Sequence, residues 1–129
     1  MAEVHGLAAY RAIEGIGAPP EAFMKMAMDA ARGFLLQAEA AIAAGDRRAK
    51  ARALSSAAKV IEFMLGLSGV EPGAFSDRLA CVYRYILAAI LKANASDDTE
   101  AVAAGRLVTE QLVATWRRMF PDAIGCQSG

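Results

Sequence analysis

The sequence is poor in the residues that do chemistry or staple small folds: one histidine, two cysteines, one tryptophan and four prolines among 129 residues. The lone His5 is the one side chain that would titrate near neutral pH without a shifted pKa. It has no Cys or Ser partner nearby in sequence. No H-E-x-x-H, E-x-x-H or Cys/His cluster offers metal-ligand spacing, so a di-iron bundle is excluded on residue supply. No phosphate-cradling G-x-x-x-x-G-K-[ST] loop is present, and Gly15-Ile16-Gly17 lacks the strand–turn–helix setting of a nucleotide fingerprint. The expectation is a protein with no catalytic residues, no metal and no cofactor.

Other scarcities narrow the partners. Cys81 and Cys126 form no C-x-x-C pair, and the absence of a disulfide framework fits a reducing compartment. Cys81 falls in an apolar stretch and is expected to be a small buried hydrophobe. Neither sign of charge is in excess, with 14 basic and 14 acidic side chains. Nothing therefore drives the chain toward nucleic acid or an anionic membrane. The dense basic run Arg47, Arg48, Lys50 and Arg52 reads as a solvated helix face. No signal-peptide pattern opens the chain. The longest strongly apolar run, near Tyr85 to Leu91, falls far short of the ~18 residues of a membrane span. The expected location is cytoplasmic, without membrane insertion.

What is abundant is helix-forming. Ala dominates, with Leu, Met, Glu, Lys and Arg beside it, and these lose little rotamer freedom in a helix. A first helix is expected from Pro19-Pro20 to Gly45, with a stripe of Phe23, Ala27, Ala30, Phe34, Ala38 and Ala41. Met24, Met28, Ala31, Leu35 and Ile42 flank that stripe. Gly45 suits a left-handed C-terminal position. A second helix opens at Asp46 as N-cap, runs on Leu54, Ala57, Ala58, Ile61, Met64 and Leu65, and closes over Gly66 to Gly69 and Pro72-Gly73. A third begins near Ser76, with Leu79, Val82, Tyr83, Ile86, Leu87, Ile90 and Leu91 as its apolar face and Asn94 at its end. A fourth opens at Ser96 or Asp97, with Asp97 and Glu100 as a capping box. Its stripe is Val102, Val108, Leu112, Val113, Trp116 and Met119, and Pro121 stops it.

Short links between long helices favour antiparallel neighbours. The spacing therefore predicts an all-α, antiparallel up-down-up-down four-helix bundle in a single domain. The N-terminal segment 1–17 lies against it, the bundle covers 18–120, and 121–129 is a flexible tail. Hydrophobic residues make up 56% of the chain. Met24, Met26, Leu36, Phe63 and Leu107 extend the apolar surface beyond one stripe. A generous core and a groove for a partner helix both account for them.

The order of motifs then becomes informative. Tyr10 lies in an Ala-Tyr pair, followed by a Pro-containing turn and a Met-rich run to Asp29-Ala30. Next come Ile61-Glu62-Phe63-Met64, then Leu79, Tyr83-Arg84-Tyr85, Ala93-Asn94 and Ala114-Thr115-Trp116. Over roughly residues 8 to 119 this series resembles the flagellar export chaperone family, FliS. The resemblance implies a cytosolic chaperone for the disordered C-terminal helical segment of flagellin. Such a chaperone blocks premature polymerisation and helps delivery to the flagellar type III export gate. It implies flagellin-binding candidates at Tyr10, Met24, Met28, Asp29, Tyr83, Tyr85, Leu91, Asn94 and Trp116. The chain departs from the family pattern at Gly17-Ala18-Pro19-Pro20, Met28 and Ala30. The competing readings are a helical homodimer and a regulatory protein that sequesters another flagellar protein.

Because the expected core lies in the four long helices, deleting residues 1–15 should leave far-UV helicity and cooperative unfolding intact. Collapse of the helical signal would refute that placement.

Overall fold

A computed structural model describes residues 20–68 and 73–119, and all four expected helices are present. We number them α1 Pro20–Ala44, α2 Arg47–Ser68, α3 Ala74–Ser96 and α4 Thr99–Met119. The N-terminal segment with His5 and Tyr10, and the tail with Cys126, lie outside the described residues.

Helix α1 opens on Pro20, whose missing N–H costs nothing in a first turn. It ends in a Schellman closure. Gly45, at φ +70°, donates from its N–H to the Ile42 carbonyl at 3.1 Å, and Asp46 N–H reaches Ala41 O at 2.9 Å. Asp46 then caps α2 as expected, its Oδ1 accepting from Ala49 N–H at 3.0 Å. The corner between α3 and α4 repeats the device one residue off the expected frame. Asp97 is the left-handed residue, at φ 52°, and Asp98 is the cap, accepting from Ala101 N–H at 3.0 Å. The expected Asp97–Glu100 capping box is therefore not formed: Asp97 closes α3 and does not open α4. Asn94 sits in the last turn of α3, as expected, two residues before its final residue Ser96. Helix α3 starts at Ala74, ahead of Ser76, and α2 runs through Gly66 to Ser68, burying Leu67.

Direction follows from which ends meet. Phe23 at the start of α1 packs on Phe63 near the end of α2, ring centroids 5.8 Å apart. Lys50 at the start of α2 reaches the end of α3, and Ala89 of α3 faces Gly105 of α4. Arg106 and Glu110 of α4 meet Glu39 and Arg32 of α1 in reverse order. Each helix is thus antiparallel to its two neighbours, in a ring α1–α2–α3–α4, and no close backbone contacts join the diagonal pairs. The chain is an antiparallel four-helix bundle.

The core runs down the centre of that ring. Met28, Ala31, Leu35 and Ala38 enter it from α1, Leu54, Ala57, Ile61 and Met64 from α2, Tyr83, Ile86, Ile90 and Ala93 from α3, and Val102, Val113 and Trp116 from α4. Fully burying an Ile or Leu side chain contributes about 1.5–3 kcal/mol each. On α1 the expected stripe is buried at Ala38 and Ala41, but toward the start of the helix the core face is its flank, at Met28, Ala31 and Leu35. Phe23, Ala27 and Phe34 are only partly buried, and Ala30 is exposed. The α1 face looks inward between two neighbours, and the Phe23 side of it belongs to the α2 contact. Cys81 is exposed, not buried. It stands two residues from both Leu79 and Tyr83, and two residues carry a helix about 200° round to its other side.

The basic run is also divided. Arg47, Arg48 and Arg52 face water, but Lys50 is buried at 7% exposure. Its Nζ donates to Asn94 O at 3.2 Å and to Asp97 Oδ1. A buried ammonium persists only when paired and hydrogen-bonded. The Lys50 hydrogen bond, helped by the charges of Lys50 and Arg47, holds the Asp97 carboxyl below its usual range, against the opposing effect of burial.

A carboxyl depressed in the folded state contributes stability above its unfolded pKa and loses it as pH falls through the folded value. Lys50→Met keeps the buried stem and removes the charge. It should melt below the wild type at neutral pH, and the gap should narrow as acid titrates Asp97. Thermal melts across the acid range check this; a gap independent of pH would refute the pairing as its source.

Candidate functional site

Small residues bring α3 and α4 close together. A Cβ built on Gly105 would stand 3.3 Å from the Cβ of Ala89, so at that point the two helices touch through almost no side chain. Around it the surface sinks into a groove of about 330 Å³. Tyr85, Ala88, Ala89 and Lys92 line one side, at the spacing that puts residues on one helical face. Asp98, Glu100, Ala101 and Ala104 line the other. The floor is alanine, the wall is the half-exposed ring of Tyr85, and one end is polar. There Lys92 Nζ stands 3.7 Å from Asp98 Oδ2. Val82, Val108 and Leu112 of the same two helices are partly buried, packed against the core. Such a surface admits a helix at close range, because alanine lets backbones approach.

The sequence candidates do not gather in this groove. Tyr85 does line it, at 51% exposure. Its neighbour in the motif, Tyr83, points the other way and is 1% exposed, and burial pushes its hydroxyl up to about 12. Met28 and Trp116 are also buried in the core, and Met24 packs partly buried against it. Leu91 is 70% exposed, six residues from Tyr85 and so turned about 120° from it. Asn94 is exposed nine residues from Tyr85, about 180° round the helix, with its carbonyl held by Lys50. Asp29 pairs with Lys25 at 2.6 Å and lines a different groove, between α1 and α4. Tyr10 lies outside the described residues. Residues that sequence reasoning missed are Ala88, Ala89, Ala101 and Ala104. Their signal was their i, i+3, i+4 spacing on facing helices, masked by the abundance of alanine everywhere else.

The α1–α4 face is built differently. Arg106 lies between two carboxylates, its Nε 2.5 Å from Glu39 Oε2 and its Nη1 3.1 Å from Glu110 Oε1. Arg32 Nε donates to Glu110 Oε2 at 2.7 Å. The hydrogen bond from Arg32 and the charge of Arg106 hold Glu110 below the usual carboxylate range, although its desolvation works the other way. Hydrogen bonding to Glu39 likewise raises Arg106. Among the described residues no three His, Cys, Asp or Glu side chains gather closely enough to hold a metal ion. Nor is any described helix long and apolar enough to cross a membrane.

Fold and groove together define an all-α bundle with a shallow, alanine-lined channel between α3 and α4. Residues 4–123 match the model of the family described as "Flagellar protein FliS", and the chain belongs to that family. It is similar to the flagellar secretion chaperone FliS of Salmonella typhimurium, at 28% identity over 110 residues, 84% of this chain and 82% of the relative.

The close α3–α4 contact gives a direct test. Gly105→Leu should cost about 1–3 kcal/mol by overpacking, measured by urea unfolding, and Ala89→Gly in the same chain should recover part of the loss. No coupling between the two changes would show that Gly105 does not set the approach of the helices.

Proposed function

We propose that this protein is a cytosolic flagellar export chaperone that acts by binding, without catalysis. Its client is the disordered C-terminal helical segment of flagellin, which it keeps from polymerising and helps deliver to the flagellar type III export apparatus. Membership of the FliS family and the name of the Salmonella relative support the export role. The single observation that carries the binding mode is the α3–α4 groove, with its alanine floor and the Tyr85 ring exposed beside it.

A disordered segment loses conformational entropy when it folds on a partner. Apolar burial at ~25 cal/mol per Å² offsets that loss, and anchors at i, i+3 and i+4 on the bound helix set its register. An aromatic ring beside an alanine floor supplies one such anchor point: a large contact area with few rotatable bonds. The groove is shallow, so it holds a helix without enclosing it. That suits a client that must later be released to another machine.

Calorimetric titration with a synthetic C-terminal flagellin segment tests the reading. A one-to-one complex with a negative heat-capacity change is expected, the mark of apolar burial. Tyr85→Ala should weaken it roughly tenfold, about 1.4 kcal/mol, with little change in melting temperature because the ring is half in water. Trp116→Ala should do the reverse and lower the melting temperature. Equal loss of stability and affinity in the Tyr85 variant would assign that residue to the fold alone. Absence of any complex with the folded protein would move the client elsewhere.

A further inference from the structure

We infer that the groove between α1 and α4 is a second docking surface, one that takes an acidic peptide segment of another protein. The recess has a volume of about 590 Å³ and lies on the opposite flank of α4 from the alanine channel. Its floor is Val113 and Ala114, and its charged lining is Asp29, Arg32, Glu110, Arg117 and Arg118.

Pairing decides what these charges leave over. Asp29 is already neutralised by Lys25 at 2.6 Å. Glu110 is held by Arg32 at 2.7 Å and by Arg106 at 3.1 Å. Both carboxylates are spoken for, and so is Arg32. Arg118 donates only to the Thr115 hydroxyl, at 3.4 Å, and Arg117 has no ion pair with any described residue. The recess therefore presents two uncommitted guanidinium groups beside an apolar floor. A guanidinium fork matches a carboxylate in bidentate geometry, and the floor accepts the aliphatic stems that carry it. Cations do favour the last turn of a helix, which explains arginine at these positions but not the recess beside them.

The alternatives fit less well. A polyphosphate carries no aliphatic stem to cover Val113 and Ala114, so it would leave the apolar floor bare. A second copy docking groove to groove by two-fold symmetry would bring the uncommitted arginines of both copies into one interface. The two grooves use different flanks of α4, so a single helix seated in one does not cover the other. This second surface does not depend on the identity of the client.

The test is fluorescence anisotropy with the full-length protein and a labelled alanine-based helical peptide carrying glutamates at i, i+4. The same peptide with glutamine in their place is the control. The glutamate peptide should bind and the glutamine peptide should not. R117Q/R118Q should weaken binding at least about tenfold. R47Q/R48Q, which removes two equally exposed arginines at the other end of the bundle, should change it by less than about twofold. A photo-crosslinking version of the peptide should label the 113–118 segment of the unaltered protein, independent of any effect of substitution on folding. Equal loss in both double variants, labelling elsewhere, or no binding of the glutamate peptide would overturn the inference. Tighter binding of duplex DNA, abolished by R117Q/R118Q, would overturn it in favour of nucleic acid.

Discussion

One buried ammonium ties the bundle's two tight corners together. Both corners are two residues long and built alike: a left-handed residue ends one helix and an aspartate caps the next. At the first the left-handed residue is Gly45, which adopts that conformation without steric cost. At the second it is Asp97, which does not enjoy that freedom. Lys50, in the first turn after the Gly45 corner, crosses to Asp97 and to the carbonyl of Asn94. The ion pair thus offsets the backbone penalty of the second corner with a side chain from the first. It also fixes where α3 stops, and hence where Asp98 and Glu100 stand at the polar end of the α3–α4 groove. The shape of the candidate client site depends on a lysine that does not line it.

The flanks of α4 divide the surface by chemistry. Toward α3 the contact is made by Ala89, Ala101, Ala104 and Gly105, so the backbones approach closely and leave a smooth apolar channel. Toward α1 the contact is laced by Arg32, Arg106, Glu39 and Glu110. Partly buried ion pairs contribute modestly to stability, because desolvation offsets much of their attraction. What they do supply is register. Each carboxylate must meet its guanidinium, so sliding α4 along α1 by one turn breaks both interhelical pairs at once, Arg32–Glu110 and Arg106–Glu39. A bundle with a rigid α1–α4 seam and an alanine-lined α3–α4 seam keeps its core fixed while offering a partner helix a place to lie.

Much of the fold was legible in the sequence because its signals are local. Pro20, Gly45 and Asp46 act at the positions where composition puts them, and the stripe of α2 from Leu54 to Leu65 needs no tertiary information. Most of the misread features depend on tertiary contacts or on the backbone conformation at a corner. Lys50 belongs to a basic run, and only the end of α3 coming within reach of it makes burial tolerable. Asp97 and Asp98 are indistinguishable as caps until the backbone shows which of them is left-handed. The core face of α1 depends on its having two neighbours, which shifts the buried centre from the Phe23 stripe to Met28, Ala31 and Leu35. Among the site candidates the family motif treats Tyr83 and Tyr85 alike, yet two residues of helix send one into the core and the other to the surface. Leu91 and Asn94 share α3 with Tyr85 but not its face. Motif resemblance therefore identified the family without resolving which of its residues a client could touch.

The exposed apolar residues bear on how such a bundle avoids associating with its own copies. Among the described residues, Met26, Leu36, Tyr85, Leu91 and Leu107 are the large hydrophobics left in water. Concentrated in one patch they would invite self-association. They are instead spread over α1, α3 and α4, and Tyr85 and Leu91 on the same helix face different ways. Alanine fills the space between Tyr85 and α4, offering apolar area with little relief for another folded surface to grip. A client that arrives unfolded can follow such a surface and gather separated contacts one after another as its helix forms. A second folded bundle, rigid and convex, meets only one or two of them at a time. The dispersal of the apolar residues thus favours a chain that can wrap over one that can only dock.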